Sequence, residues 1–114
     1  MDDLRVAELA FADDPPLIGA ALFHAQQAVE KALKAFLIAS DCHYPLTHDL
    51  DRLLSLCVGI DETLAAISGI GDLTDFAATS RYPGVKEPGD YDARSWLLRA
   101  QSAVDEIRYR IDRM

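Results

Sequence analysis

The stretch Phe23–Ile38, FHAQQAVEKALKAFLI, decides the fold of this chain. At the roughly 100° per residue of an α-helix, its side chains and those just before it separate into three faces. One face is large and apolar and predicts a core stripe of Leu22, Val29, Leu33, Phe36 and Leu37. The adjoining face is small enough for another helix to approach closely, and consists of Ala21, Ala25, Ala28, Ala32, Ala35 and Ala39. The third face, which we call the polar arc, consists of His24, Gln27, Lys31 and Lys34, with Glu30 at its edge.

The segments before and after this helix are helical in pattern as well. Residues 2–12 predict a short amphipathic helix carrying Leu4, Ala7, Leu9 and Phe11. The two prolines at 15 and 16 end it, so the central helix is expected to begin near Pro16 or Leu17 and to end at Ser40–Asp41. Thr47 is the expected N-cap of a third helix, which Gly59 is expected to close.

The second half of the chain continues the helical pattern. Asp61 is expected to cap a segment that turns Leu64, Ile67, Leu73, Phe76 and Ala77 inward. Gly69 and Gly71 predict a kink or a split in that segment. The last helix is predicted from Tyr91 to Met114, with a four-three spacing of Ala93, Leu97, Ala100, Val104, Ile107, Ile111 and Met114. Strand patterns are nearly absent, so residues 1–114 predict a single all-α domain, an antiparallel up-and-down bundle of four to five helices.

Charge and composition limit the classes of function. A formal net charge of −8 argues against broad, sequence-blind nucleic-acid binding, although it leaves room for one local basic pocket. No apolar run approaches the ~20 residues of a membrane span, and the start is acidic, unlike a signal peptide, so we expect a cytoplasmic protein with no membrane contact. Cys42 and Cys57 are expected to be reduced and packed in the core. The spacing of Cys42, His43, His48 and Cys57 matches no compact ligand pair, so no metal and no cofactor are predicted.

The polar arc is the first candidate site. Lys31 and Lys34 could meet a phosphate while His24 and Gln27 supply directed hydrogen bonds, which would make the arc a nucleotide or RNA contact. The alternative is a solvated face in which Glu30 and Lys34 form an ion pair one helical turn apart.

The second candidate is SRYPG at residues 80–84. Arg81 and Tyr82 before a Pro-Gly turn would suit an anion contact and a stacking surface for a base. Alternatively, Arg81 binds the last carbonyls of its own helix and Tyr82 packs under the loop. No serine has a GxSxG context, and no glycine-rich phosphate loop follows a strand, so the sequence predicts no catalytic residue.

Three segments together resemble the HEPN domain. They are FHAQQAVEKALKAFLI at 23–38, YPLTHDLDRLL at 44–54 and TDFAATSRYPG at 74–84, followed by a long final helix. The resemblance extends from about Leu17 to Met114. It implies an all-α bundle that usually forms a homodimer. Small prokaryotic domains of this family are often encoded beside a minimal nucleotidyltransferase, and some pairs act as toxin and antitoxin.

Catalytic members of the family cut RNA without a metal through an Arg-x4–6-His motif. Here the positions at that spacing after Arg81 are Lys86, Glu87 and Pro88, and the last histidine of the chain is His48. The resemblance therefore does not carry ribonuclease activity to this chain, because the general acid or base is missing from its expected place.

Three hypotheses follow. The first is a non-catalytic HEPN partner of a minimal nucleotidyltransferase in a toxin–antitoxin-like module, which binds a nucleotide or RNA through the polar arc, Arg81 and Tyr82. The second is a metal-independent ribonuclease toxin with a rearranged site, in which His24 replaces the motif histidine. The third is a purely structural dimerisation module.

Overall fold

A computed structural model describes residues 2–67, 69–74 and 90–114 of the chain. In these ranges all regular structure is helical and no strand occurs. The elements are α1 (Asp2–Ala12), α2 (Ile18–Ala39), α3 (Leu50–Ile60), a 3-10 helix η1 (Glu62–Ile67) and α4 (Asp90–Asp112). This confirms the predicted all-α bundle. Phe76, Ala77, Arg81 and Tyr82 lie outside the described residues.

Helix α2 is the centre of the bundle, since α1, α3 and α4 all pack against it. Its predicted core stripe is confirmed, because all five large apolar side chains of the stripe are fully buried. The alanine face is buried only as far as Ala32. Ala35 is exposed because it lies on the same side of the helix as Lys31, and Ala39 is exposed at the last residue of α2.

Helix α1 has the predicted bounds but a different buried face. Leu4, Ala7 and Ala10 are buried, whereas Leu9 is exposed and Phe11 is partly buried against the core. Leu9 stands about 200° around the helix from Ala7, which turns it away from α2.

The ends of α3 differ from the prediction. Asp49 is the N-cap, and its carboxylate accepts hydrogen bonds from the backbone N–H groups of Asp51 and Arg52. Thr47 lies outside the helix, where its hydroxyl accepts from the N–H of Asp49 at 3.1 Å. Gly59 does not close α3, which continues to Ile60. Asp61 is its C-cap, and the N–H of Asp61 donates to the carbonyl of Cys57.

The next segment is split, as its glycines predict. Asp61 caps η1 by accepting from the N–H of Thr63 at 3.0 Å. A turn at residues 69–71 follows, where Gly69 has φ of +92°, and residues 72–74 are helical again. Leu64 and Leu73 are buried as predicted, whereas Ile67 is only partly buried.

Helix α4 completes the core and begins one residue earlier than expected. The predicted seam is buried from Ala93 to Ile107, and Trp96 joins it. Ile111 is partly buried, and Met114 is exposed because it lies beyond the end of α4 at Asp112. Among the described helices, none combines the length and the apolar character needed to cross a membrane.

Candidate functional site

Two members of the polar arc converge on one carboxylate of α1. Nδ1 of His24 lies 2.9 Å from Oδ1 of Asp3, and Nζ of Lys31 lies 2.6 Å from Oδ2 of the same residue. The side chain of Asp3 is 13% exposed, while that of Lys31 is 60% exposed. The packing of α1 on α2 therefore places an acidic side chain directly on the predicted basic site.

The ionisation of this group follows from its contacts. Burial opposes the charged form of Asp3, but the hydrogen bonds from Lys31 and His24 and their charges outweigh it and hold the pKa of Asp3 below its ordinary value. The hydrogen bond to Asp3 raises the pKa of Lys31. At neutral pH the arc therefore holds a closed Asp3–Lys31 ion pair.

Lys34 points to a different partner. Its Nζ lies 3.1 Å from Oε2 of Glu30, which is the helical ion pair of the alternative interpretation, and 5.2 Å from the centre of the Tyr44 ring. Glu30 is 4% exposed rather than at the edge of a wet face. Its other oxygen, Oε1, lies 2.8 Å from Nδ1 of His48.

A second polar network, which sequence reasoning missed, lies beside Glu30. The side-chain amide of Gln26, also 4% exposed, donates to the carbonyl of His48 at 3.0 Å. The Thr74 hydroxyl donates to Oε1 of Gln26 at 3.2 Å and accepts from the N–H of Leu50 at 3.4 Å. One amide thus joins α2 to the connection before α3 and to the residues after η1.

A signal for Gln26 was present in the sequence. It follows Leu22 by four residues and precedes Val29 by three, so it belongs to the core stripe. A polar side chain on an apolar face must find hydrogen-bond partners when it is buried. The prediction selected its neighbour Gln27 instead, which is half-buried and for which the described residues supply no hydrogen-bond partner.

The two cysteines differ in their burial, which also bears on whether they could bind a metal. Cys57 is buried, and burial raises the pKa of its thiol to about 12, so it stays protonated. Cys42 is free as predicted, but it is exposed rather than packed in the core, because it lies in the connection after α2. Among the described residues, no group of three or more His, Cys, Asp or Glu side chains is placed to hold a metal ion.

The structure therefore brings His24 and Lys31 together through Asp3 and directs Lys34 towards Glu30. Arg81 and Tyr82 lie outside the described residues, so their relation to the arc stays a prediction. Chemically, the arc is a charge-paired surface. A phosphate would have to compete with Asp3 for Lys31, and the imidazole of His24 is oriented by a carboxylate, as in a general acid–base pair.

Comparison with known proteins assigns the family. No solved structure matches the chain. The family model described as HEPN domain matches residues 1–109, a range that includes α1 as well as the three segments that carry the resemblance in the sequence. The chain therefore belongs to the HEPN domain family.

Proposed function

We propose that this chain is a non-catalytic HEPN protein that partners a minimal nucleotidyltransferase in a toxin–antitoxin-like module, acting as a homodimer. The observation that carries the proposal is the paired state of the polar arc, in which Asp3 and Glu30 already neutralise its cations. A charge-paired surface without the Arg-x4–6-His motif suits a module that binds a partner better than it suits an enzyme. The proposal predicts that the neighbouring gene encodes a minimal nucleotidyltransferase, and co-expression of the two proteins tests it. Absence of a stable complex would contradict it.

A nucleotide or RNA contact at the polar arc forms the second part of the proposal. Here Lys31 and Lys34 meet phosphate, His24 and Gln27 add hydrogen bonds, and Arg81 and Tyr82 contribute charge and stacking. Because Asp3 competes with phosphate for Lys31 at 2.6 Å, a bound nucleotide must displace that carboxylate. Asp3 thus sets the affinity of the arc for anions.

Variants that change the charge of the site in opposite directions test this part of the proposal. Asp3→Asn removes the competing charge and should strengthen binding of a fluorescent ATP analogue or a short single-stranded RNA several-fold. Lys31→Glu and Arg81→Glu should weaken it, with the helical circular-dichroism spectrum unchanged. Arg52→Glu is the matched control, since Arg52 is an exposed cation on α3 and lies outside the arc. Equal affinities for the native chain, Asp3→Asn and Lys31→Glu would exclude the arc as the site.

One observation favours a second candidate, the metal-independent ribonuclease. Nδ1 of His24 lies 2.9 Å from Asp3, a geometry that orients the other ring nitrogen for proton transfer. If this function holds, the purified chain degrades RNA in the presence of a chelator and His24→Ala abolishes the cleavage. Cleavage that survives in His24→Ala would remove this role, and a native chain that leaves RNA intact would exclude the enzyme.

A further inference from the structure

An open groove of about 730 Å³ runs along α4, on residues that the polar arc does not include. One wall is formed by Ala66, Ile67 and Ile70, from η1 and the turn after it. The opposite wall is α4, whose lining residues recur once per turn from Arg94 to Arg110. The buried lining residues, Ile70 and Ala103, are apolar, and most of the exposed lining residues are polar.

The length of the groove selects the kind of ligand. At a rise of about 1.5 Å per residue, the helix between positions 94 and 110 spans on the order of 24 Å. This length fits four turns of a helix or about seven residues of extended chain. The length of the groove therefore suits a polypeptide segment that lies along α4.

The charge of the groove selects the sign of the ligand. The chain carries a net charge of −8, yet residues 93–104 contain Arg94 and Arg99 and no acidic residue. Arg94 is exposed and forms no ion pair with the described residues. The guanidinium carbon of Arg99 lies 4.2 Å from the centre of the Trp96 ring. Both are available to a carboxylate of a ligand.

At the far end of the groove the charge of Arg110 is already paired with two carboxylates. Nε of Arg110 lies 3.3 Å from Oδ2 of Asp61, and its Nη1 lies 3.0 Å from Oε2 of Glu106. The positive charge of the groove is therefore concentrated at the Arg94–Arg99 end. This polarity would fix the direction in which an acidic segment lies.

An apolar anchor lies between the two arginines. Leu98 lines the groove and is 60% exposed, although it belongs to a helix whose buried face is otherwise well packed. It also lines a smaller cavity on the other side of α4, next to Leu4 and Phe11 of α1. An exposed leucine beside an apolar groove, with cations next to it, is suited to contact the apolar face of an amphipathic helix laid in that groove.

We propose that the groove between η1 and α4 binds an acidic amphipathic segment of a protein partner, with Leu98 as the apolar anchor and Arg94 and Arg99 as its charge contacts. The proposal rests on the proposed function in one respect, namely that this chain works by holding a protein partner. An acidic segment would place its carboxylates beside Arg94 and Arg99. A basic segment would place like charges there, so the groove should prefer the acidic one.

The test uses the full chain and a designed peptide. The probe is a labelled helical peptide of about four turns with leucines along one face and glutamates beside them. Its comparison peptide has lysine in place of every glutamate. Fluorescence anisotropy should show binding of the acidic peptide to the native chain and weaker binding at high salt. Trp96, the sole tryptophan, supplies a second readout, since a carboxylate that engages Arg99 changes its contact with the indole ring.

Charge-reversal variants test whether peptide binding depends on the groove or only on the overall charge of the chain. Arg94→Glu combined with Arg99→Glu should lower the affinity for the acidic peptide by about tenfold or more. The same double reversal should create binding of the lysine peptide. Leu98→Ser should weaken binding of the acidic peptide to the native chain and of the lysine peptide to the double reversal. Arg108→Glu, an exposed arginine of the same helix that does not line the groove, should leave the affinity unchanged. All four positions are exposed, so the helical spectrum is expected to stay native.

Several results would overturn the proposal. These are equal binding of both peptides by the native chain, no binding of the acidic peptide, or an equal loss in Arg108→Glu. A single-stranded RNA that binds the groove more tightly than the acidic peptide would reassign it to nucleic acid. Self-association that the double reversal abolishes would reassign it to a second copy of the chain.

A co-expression experiment distinguishes failure of the groove proposal from failure of the proposed function. If a co-expressed nucleotidyltransferase partner is retained as well by the double reversal as by the native chain, the groove proposal fails and the proposed function stands. If the native chain retains no partner, the proposed function fails, and the peptide titration still decides the groove.

Discussion

The buried amide of Gln26 offers the most discriminating test of the fold, because the chain carries its own control at the next position. Gln26→Leu keeps the approximate volume of the side chain but removes the bond to the His48 carbonyl and the bond from Thr74. Each bond is worth about 1 kcal/mol, and leaving the partners unsatisfied adds a similar amount. The gain from burying leucine offsets about 1 kcal/mol of this loss. We expect a net destabilisation of about 2 kcal/mol.

The measurement is urea unfolding at fixed pH, with unchanged m values as the condition for comparing variants. Gln27→Leu is the control and should change the free energy of unfolding by less than about 0.5 kcal/mol. A double-mutant cycle of Gln26→Leu with Thr74→Val should give a coupling of about 1 kcal/mol, since the two side chains share one hydrogen bond. A Gln26→Leu variant as stable as the native chain, or one that matches Gln27→Leu, would refute the role of the amide.

Three further outcomes are expected. Gly71→Ala should destabilise the fold by about 1 kcal/mol, because the new Cβ would collide with the carboxylate of Asp51. In an Asp51→Ala background the same change should be neutral or stabilising in urea unfolding. A maleimide reagent at neutral pH should label Cys42 alone in the native chain and both cysteines in denaturant, and mass spectrometry would count the labels. Fast labelling of both cysteines in the native chain would contradict the burial and the raised pKa of Cys57. The Asp3→Asn variant should lose under about 1 kcal/mol relative to the native chain at neutral pH. This difference should begin to shrink near pH ~4 and disappear at lower pH, as the carboxyl group is protonated through the lowered pKa that it has in the fold; a difference that grows in acid would reverse the assignment.

The sequence was sufficient for the elements whose burial is set by periodicity. The stripe from Leu22 to Leu37 and the seam from Ala93 to Ile107 are buried as predicted, because each depends only on spacing along one helix. The end of α1 was predicted for a different reason, because Asp13, Asp14 and two prolines follow Ala12. Local rules were less reliable where two residues competed, as at the start of α3, where Asp49 caps in place of Thr47.

The candidate site was predicted less well because its contacts join distant parts of the chain. The pairing of Asp3 with Lys31 spans α1 and α2, and no periodicity within α2 could indicate that an acid would cover the arc. The pairing of Glu30 with His48 depends on how the connection before α3 returns across α2. Only Gln26 could have been found from its place on the apolar stripe.

The use of both ends of the Gln26 amide has a consequence for reading related sequences. A side chain that must donate to one segment and accept from another leaves few substitutes, so position 26 should co-vary with position 74 when homologues are aligned. Relatives with an aliphatic residue at 26 should also lack the hydroxyl at 74, and in those proteins the junction after η1 should be anchored to α2 in some other way.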